Sequence, residues 1–270
     1  MILKEFIFFG HNAKIKGASI TPEKIDETVI QLKQKGIQHL TIVNWAKEAS
    51  LNFLINQSWI KSLHLSIENI DITVVNTLKN LEYFECNYNN VKGAIDLVNF
   101  PNLKQLRIIH STILYSNFEK LNNLQYLEVN RWPDEDLEGL KNLKKLEWVE
   151  LNFAKKLVSL KGIHYLKELS FLKFYSATKL EDISELKTIA SSLSKLSFEL
   201  VPKIKDFNVL NCLPNLERFY IFRSAPLSSV QFIKHLKNLK YAYIGTEVLD
   251  GDIKILKMKN IEYKKSKRYK

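Results

Sequence analysis

A pattern of about 22 residues recurs ten times along this 270-residue chain, and it restricts the fold more than any other feature. It is plain in LKNLEYFECNYNN from Leu78, FPNLKQLRI from Phe100, LNNLQYLEV from Leu121 and LKNLKKLEWVEL from Leu140. It returns in IHYLKELSFLKF from Ile163, LPNLERFYI from Leu213 and LKNLKYAYI from Leu236. Apolar residues come first at every third position, then at every second. The residue opening the two-spaced part is Leu40, Leu63, Phe84, Leu106, Leu127, Val149, Leu172, Leu196, Phe219 and Ala242 in turn, at spacings of 21 to 24.

Period-two alternation makes a short strand with one buried face, and period three carries the chain back in a short helix or 3₁₀ turn. Two residues beyond each opening residue stand Ile42, Leu65, Cys86, Ile108, Val129, Leu151, Phe174, Phe198, Ile221 and Ile244, all apolar. One such coil cannot bury its own apolar side; stacked coils share a continuous core and a parallel sheet. Asp136, Ser159, Asp182, Asp206, Ser229 and Asp252 sit where caps of the return turns belong.

On the strength of these LxxLxxLxL copies the chain resembles the leucine-rich-repeat family over residues 37–263. The resemblance implies an α/β fold: a leucine-rich-repeat solenoid, or horseshoe, with a parallel concave β-sheet and short helices, 3₁₀ turns and loops on the convex side. Members usually carry an asparagine three residues after the last strand leucine. Here Asn89 alone keeps it, the other positions holding Trp45, Glu68, Ser111, Trp132, Ala154, Ala177, Val201, Ser224 and Glu247. Residues 1–270 read as a single domain. Residues 1–36 form a strand–helix cap, with a strand at Leu3–Phe9 and a helix from Pro22 to Lys35 started by Thr21 and closed by Gly36. Residues 37–257 hold the repeats. Residues 258–270 add a capping strand, with Lys264 and Ser266 at core positions, and a basic tail.

The residues flanking each buried strand position point outward, and their identity bears on function. Three strands repeat an aromatic–Glu–Asn triplet: Tyr83, Glu85 and Asn87; Tyr126, Glu128 and Asn130; Trp148, Glu150 and Asn152. Arg107 lies between the first two. Later strands offer Phe171, Lys173 and Tyr175, then Arg218, Tyr220 and Phe222, then Tyr241 and Tyr243. Aromatic residues with Arg are what protein interfaces use as anchors, and the expectation is that these side chains form a partner-binding surface. The carboxylates at its centre suit a protein with a basic patch and disfavour phosphate.

Net charge is +11, but five positive charges lie in the last seven residues, leaving +6 elsewhere. Basic flanks and tail carry the alternative reading, a nucleic-acid-binding protein. No segment resembles a transmembrane helix or a secretory signal, and the two cysteines, Cys86 and Cys212, read as small buried hydrophobes. A cytoplasmic setting is expected. No spacing of His, Cys, Asp or Glu predicts a metal site, no cofactor fingerprint is present, and no catalytic residues are expected. The function expected is a non-catalytic protein-binding module. More narrowly, it resembles short bacterial repeat proteins that act as immunity proteins, binding and blocking a basic toxin.

Overall fold

In the computed structural model, residues 2–7, 14–20, 25–43, 50–86, 91–109, 115–258 and 261–263 are described. The chain divides into two compact units, Met1–Leu127 and Glu128–Lys270. Both are stacks of leucine-rich-repeat coils, each a short strand and a return turn, with the strands parallel and in chain order.

The first unit opens with β1 (Ile2–Ile7), antiparallel to β2 (Lys14–Ile20), which in turn lies parallel to β3 (His39–Val43). The cap is therefore strand–strand–helix–strand. The second strand escapes the sequence reading because KIKGASI has only two large apolar residues, Ile15 and Ile20, five positions apart with Gly17, Ala18 and Ser19 between them. Its inward positions are packed all the same: Ala18 and Ile20 pair with Leu40 and Ile42 and are buried. The helix α1 (Ile25–Gln34) is closed by Gly36 at φ 63°, with the amides of Gly36 and Ile37 donating to Lys33 O and Leu32 O. Leu32 is buried, while Ile25 and Val29 of the same expected stripe are only half-buried. Phe8, Phe9, Thr21 and Pro22 lie outside the described residues. The coils continue with β4 (Ser62–Ser66), β5 (Tyr83–Cys86), the short β6 (Ile95–Asp96), β7 (Gln105–Ile109) and β8 (Tyr115–Ser116), β6 pairing with β8.

Strand β9 (Tyr126–Asn130) carries the boundary between the units. The second unit then holds β10 (Trp148–Asn152), β11 (Phe171–Tyr175), β12 (Lys195–Glu199), β13 (Arg218–Phe222) and β14 (Tyr241–Gly245). It ends with the short helix α2 (Lys254–Met258) and β15 (Glu262–Tyr263), which pairs with β14. Lys264, Ser266 and the rest of the basic tail lie outside the described residues.

All twenty inward positions of the ten repeats are buried, none more than 2% exposed. Each large apolar side chain removed from water contributes roughly 1.5–3 kcal/mol, so the core is one long shared apolar column in each unit. The six small polar residues expected to start the return turns do so. Asp136, Ser159, Asp182, Asp206, Ser229 and Asp252 each accept the amide hydrogen bond of the residue two further on.

The missing asparagine is replaced twice over. After each of β9 to β13 one residue takes a left-handed conformation: Arg131, Phe153, Ser176, Leu200 and Arg223, at φ 46° to 67°. Their amides donate to the last residue of the next strand, at 2.7–3.1 Å. The backbone thus supplies the link that a side chain otherwise makes, at about 1–2 kcal/mol of conformational cost for each non-glycine residue. With the amide bonded, the following position needs no polar side chain, and Trp132, Ala154, Ala177 and Val201 are buried there. A second ladder uses the asparagine of the xNL segment: Asn80, Asn123, Asn215 and Asn238 donate to Ser58 O, Pro101 O, Ser191 O and Pro214 O of the preceding coil. Asn89, Trp45 and Ser111 lie outside the described residues.

Candidate binding face

The parallel register places equivalent outward residues side by side, so the face reads as columns running across the strands. In the first unit one column runs His39, Ser62, Tyr83, Gln105 and the next Thr41, His64, Glu85, Arg107. The expected display of Glu85 is not found: it is only 8% exposed. Its carboxylate accepts from the Tyr83 hydroxyl, pairs with Arg107 Nη1 at 3.2 Å and approaches His64 Nε2 to 3.8 Å. A carboxylate between residues of this length is covered by the side chains that neutralise it. Beside it, His39 Nδ1 and the Ser62 hydroxyl are 2.7 Å apart. Burial lowers the pKa of both His39 and His64 below the ordinary histidine value, with Glu82 and Glu85 opposing in each case. Burial, with Glu85 adding, pushes the Tyr83 phenol far above its usual range. Asn87 lies outside the described residues.

Tyr126 and Glu128 are covered as well, 3% and 8% exposed. Glu128 accepts from Asn152 Nδ2 at 3.1 Å. Glu150, at 7%, accepts from Trp148 Nε1 at 2.8 Å and from Lys173 Nζ at 2.9 Å. The three glutamates are thus not an open acidic stripe, and they do not lie bare on an open sheet. Asn130 and Asn152 are half-buried.

The second unit leaves the other half of the expected set partly exposed. Trp148 and Phe171 stack at 3.6 Å and 15°, and Lys195 Nζ rests 5.5 Å from the Trp148 ring. At the far end Tyr220 and Tyr243 stack at 4.9 Å and 16°, with Phe222 tilted against both. Arg223 lies over the outer side of Phe222, 5.0 Å away. Tyr175 meets Phe153 edge to face at 5.1 Å. Tyr241 is 48% exposed and Arg218 is exposed beside it. Burial, followed by the nearby charge of Glu199, raises the Tyr220 phenol to about 12.

Gly245 explains how three rings fit at one end. It stands where the neighbouring strands carry Glu199 and Phe222. A Cβ there would come within 2.6 Å of both the Phe222 and Tyr243 rings. Lys195, Ser197 and Arg223 also shape this surface, and so does Gly245, which sequence reasoning missed. The signal for Gly245 was a glycine ending a strand whose neighbours end in large side chains. Cys86 is buried as expected, but Cys212 is exposed, because it falls on the outward side of the turn before Leu213. Among the described residues no three His, Cys, Asp or Glu side chains gather as metal ligands, and no helix is long and apolar enough to cross a membrane.

No family model matches the chain. A segment is 30% identical over 146 residues to the disease resistance protein RPS4B of Arabidopsis thaliana, covering 51% of this chain and 12% of that protein. The fold is similar to the functional domain of InlJ from Listeria monocytogenes, at 14% identity and a TM-score of 0.53, over 78% of this chain and 45% of the other. It is also similar to TLR13 in its complex with ssRNA13, at 18% identity and a TM-score of 0.56, over 84% of this chain and 35% of that one. The chain therefore spans well under two thirds of each of these relatives.

Proposed function

We propose that the chain is a non-catalytic module that docks another protein on the outward face of β10–β14. One observation carries this reading. In the second unit the outward columns are filled with partly exposed aromatic side chains interleaved with Arg and Lys, a composition that interfaces use for their anchors. A sheet face with this much apolar surface is costly to leave in water.

The narrower reading is that the partner is a basic protein, such as a toxin that the chain blocks in the cytosol. It rests on Glu199, since Glu85, Glu128 and Glu150 are covered and bonded to neighbours. A second reading, nucleic acid, is favoured by the stacked Trp148–Phe171 pair with Lys195 above it, the arrangement of a base-stacking platform. The likeness to TLR13 extends to the fold alone.

Affinity capture from a lysate of the source cells, comparing the natural chain with Tyr220→Ser/Tyr243→Ser, separates the readings. A protein retained by the former and lost by the latter supports docking on this face. Retention of generic nucleic acid that washes off as salt rises, with no protein, overturns it in favour of the second reading.

A further inference from the structure

We infer that the notch over Ser197 receives an arginine side chain of the docked partner, stacked on Tyr220 and paired with Glu199. The inference rests on the protein-docking reading and names the chemistry of one anchor within it. The outward column here runs Lys173, Ser197, Tyr220, Tyr243 and Glu262 across β11 to β15. Tyr220 spends one ring face on Tyr243. Its other face is turned toward β12, where the residue in register is Ser197. A serine is too small to cover a phenol ring, so that face stays open to an incoming group.

The charges around the notch select a cation. Lys173 and Lys195, which border it, both lean toward β10: one ammonium is 2.9 Å from Glu150, the other sits over Trp148. Glu199, two residues beyond Ser197 on the same strand, has no ion-pair partner among the described residues. Its charge contributes to the raised Tyr220 phenol, so the carboxylate and the ring share one field. Two further cations stand near: Arg218, at the opposite end of β13 from Phe222, and Arg223, which follows Phe222 and lies over its ring. The pairing of Arg223 with Phe222 shows that this ring cluster already accepts a guanidinium from its rim. A guanidinium suits the notch better than an ammonium. It is planar, stacks on a ring face and still offers paired donors to a carboxylate.

The test is titration of the full chain with Nα-acetyl-arginine methylamide, read from the ring signals of labelled tyrosines. The neutral isostere Nα-acetyl-citrulline methylamide and the lysine analogue serve as comparisons. The expected result is a saturable shift of the Tyr220 signals with arginine, about fivefold weaker binding with lysine, and none with citrulline. Glu199→Gln is expected to weaken arginine binding about fivefold. Ser197→Phe, which fills the notch, is expected to abolish it with no loss of thermal stability. Equal binding of citrulline, an unchanged response in both variants, or no shift with arginine overturns the inference. If a partner protein is still lost on Tyr220→Ser/Tyr243→Ser while arginine gives no shift, the docking reading stands and this inference alone fails.

Discussion

The outward faces of the two units are built on the same strand register yet have opposite characters. In the first, a tyrosine, a glutamate, an arginine and a histidine close on one another, and the carboxylate at the centre is covered. In the second, Glu128 and Glu150 are covered in the same way at its start, but from β12 onward the column positions hold a serine, tyrosines and a phenylalanine, and the rings stay partly open. The inward positions are equally apolar in both. What differs is whether neighbouring columns can satisfy each other. Long charged residues of opposite sign seal a face, whereas stacked rings beside a small residue leave surface to be covered by something else.

The largest expected effect tests what the two units share. Leu172→Asp puts a charge into the continuous core and is expected to unfold the second unit, a loss above about 4 kcal/mol, seen as loss of cooperative urea unfolding. Next in size, Arg107→Ala leaves the covered Glu85 without its guanidinium. Urea unfolding is expected to show a loss of about 2–4 kcal/mol. The matching change in the second unit, Arg218→Ala, should cost under about 0.5 kcal/mol because that side chain is exposed. Equal costs would break the contrast between sealed and open faces.

A smaller effect is expected from Gly245→Ala. Its added methyl must move the Phe222 and Tyr243 rings, at about 1–2 kcal/mol, and the near-ultraviolet circular dichroism of the tyrosines should change with it. The smallest is a pH effect confined to the first unit. His39 and His64 have folded pKa values below the ordinary 6.5, so the folded state takes up fewer protons than the unfolded chain near that pH. Their contribution is present above about pH 6.5 and is lost as pH falls through the lowered values. Asp71 and Glu82, held below the usual carboxylate range by Thr73 and Lys104, stay ionised in that window. The urea midpoint of the natural chain should therefore drop more between pH 7.5 and 5 than that of His39→Gln/His64→Gln.

The repeat, the strand register and the turn-starting Asp and Ser residues were all legible in the sequence, because apolar periodicity dictates which side chain faces inward. Which outward residues would be exposed was not. Glu85 and Glu150 read as displayed carboxylates because their covering partners, Arg107 and Lys173, lie 22 and 23 residues away on neighbouring strands. The same distance hid the role of Ser197, whose importance comes from the ring on the next strand. The strand at Lys14–Ile20 was missed because glycine, alanine and serine give little periodic signal. The asparagine ladder lay in plain view in the xNL segments, before each strand and not after it, where the resemblance directed attention.

On the proposed function, binding belongs to the open face of the second unit and not to the sealed face of the first. This is tested most directly by measuring the affinity of the captured partner for two variants of equal thermal stability, Tyr243→Ser and Tyr83→Phe. At least a tenfold loss is expected for the first and no change for the second, in keeping with an anchor residue lost from an interface centre. Undiminished affinity in Tyr243→Ser, with a loss in Tyr83→Phe, would contradict it.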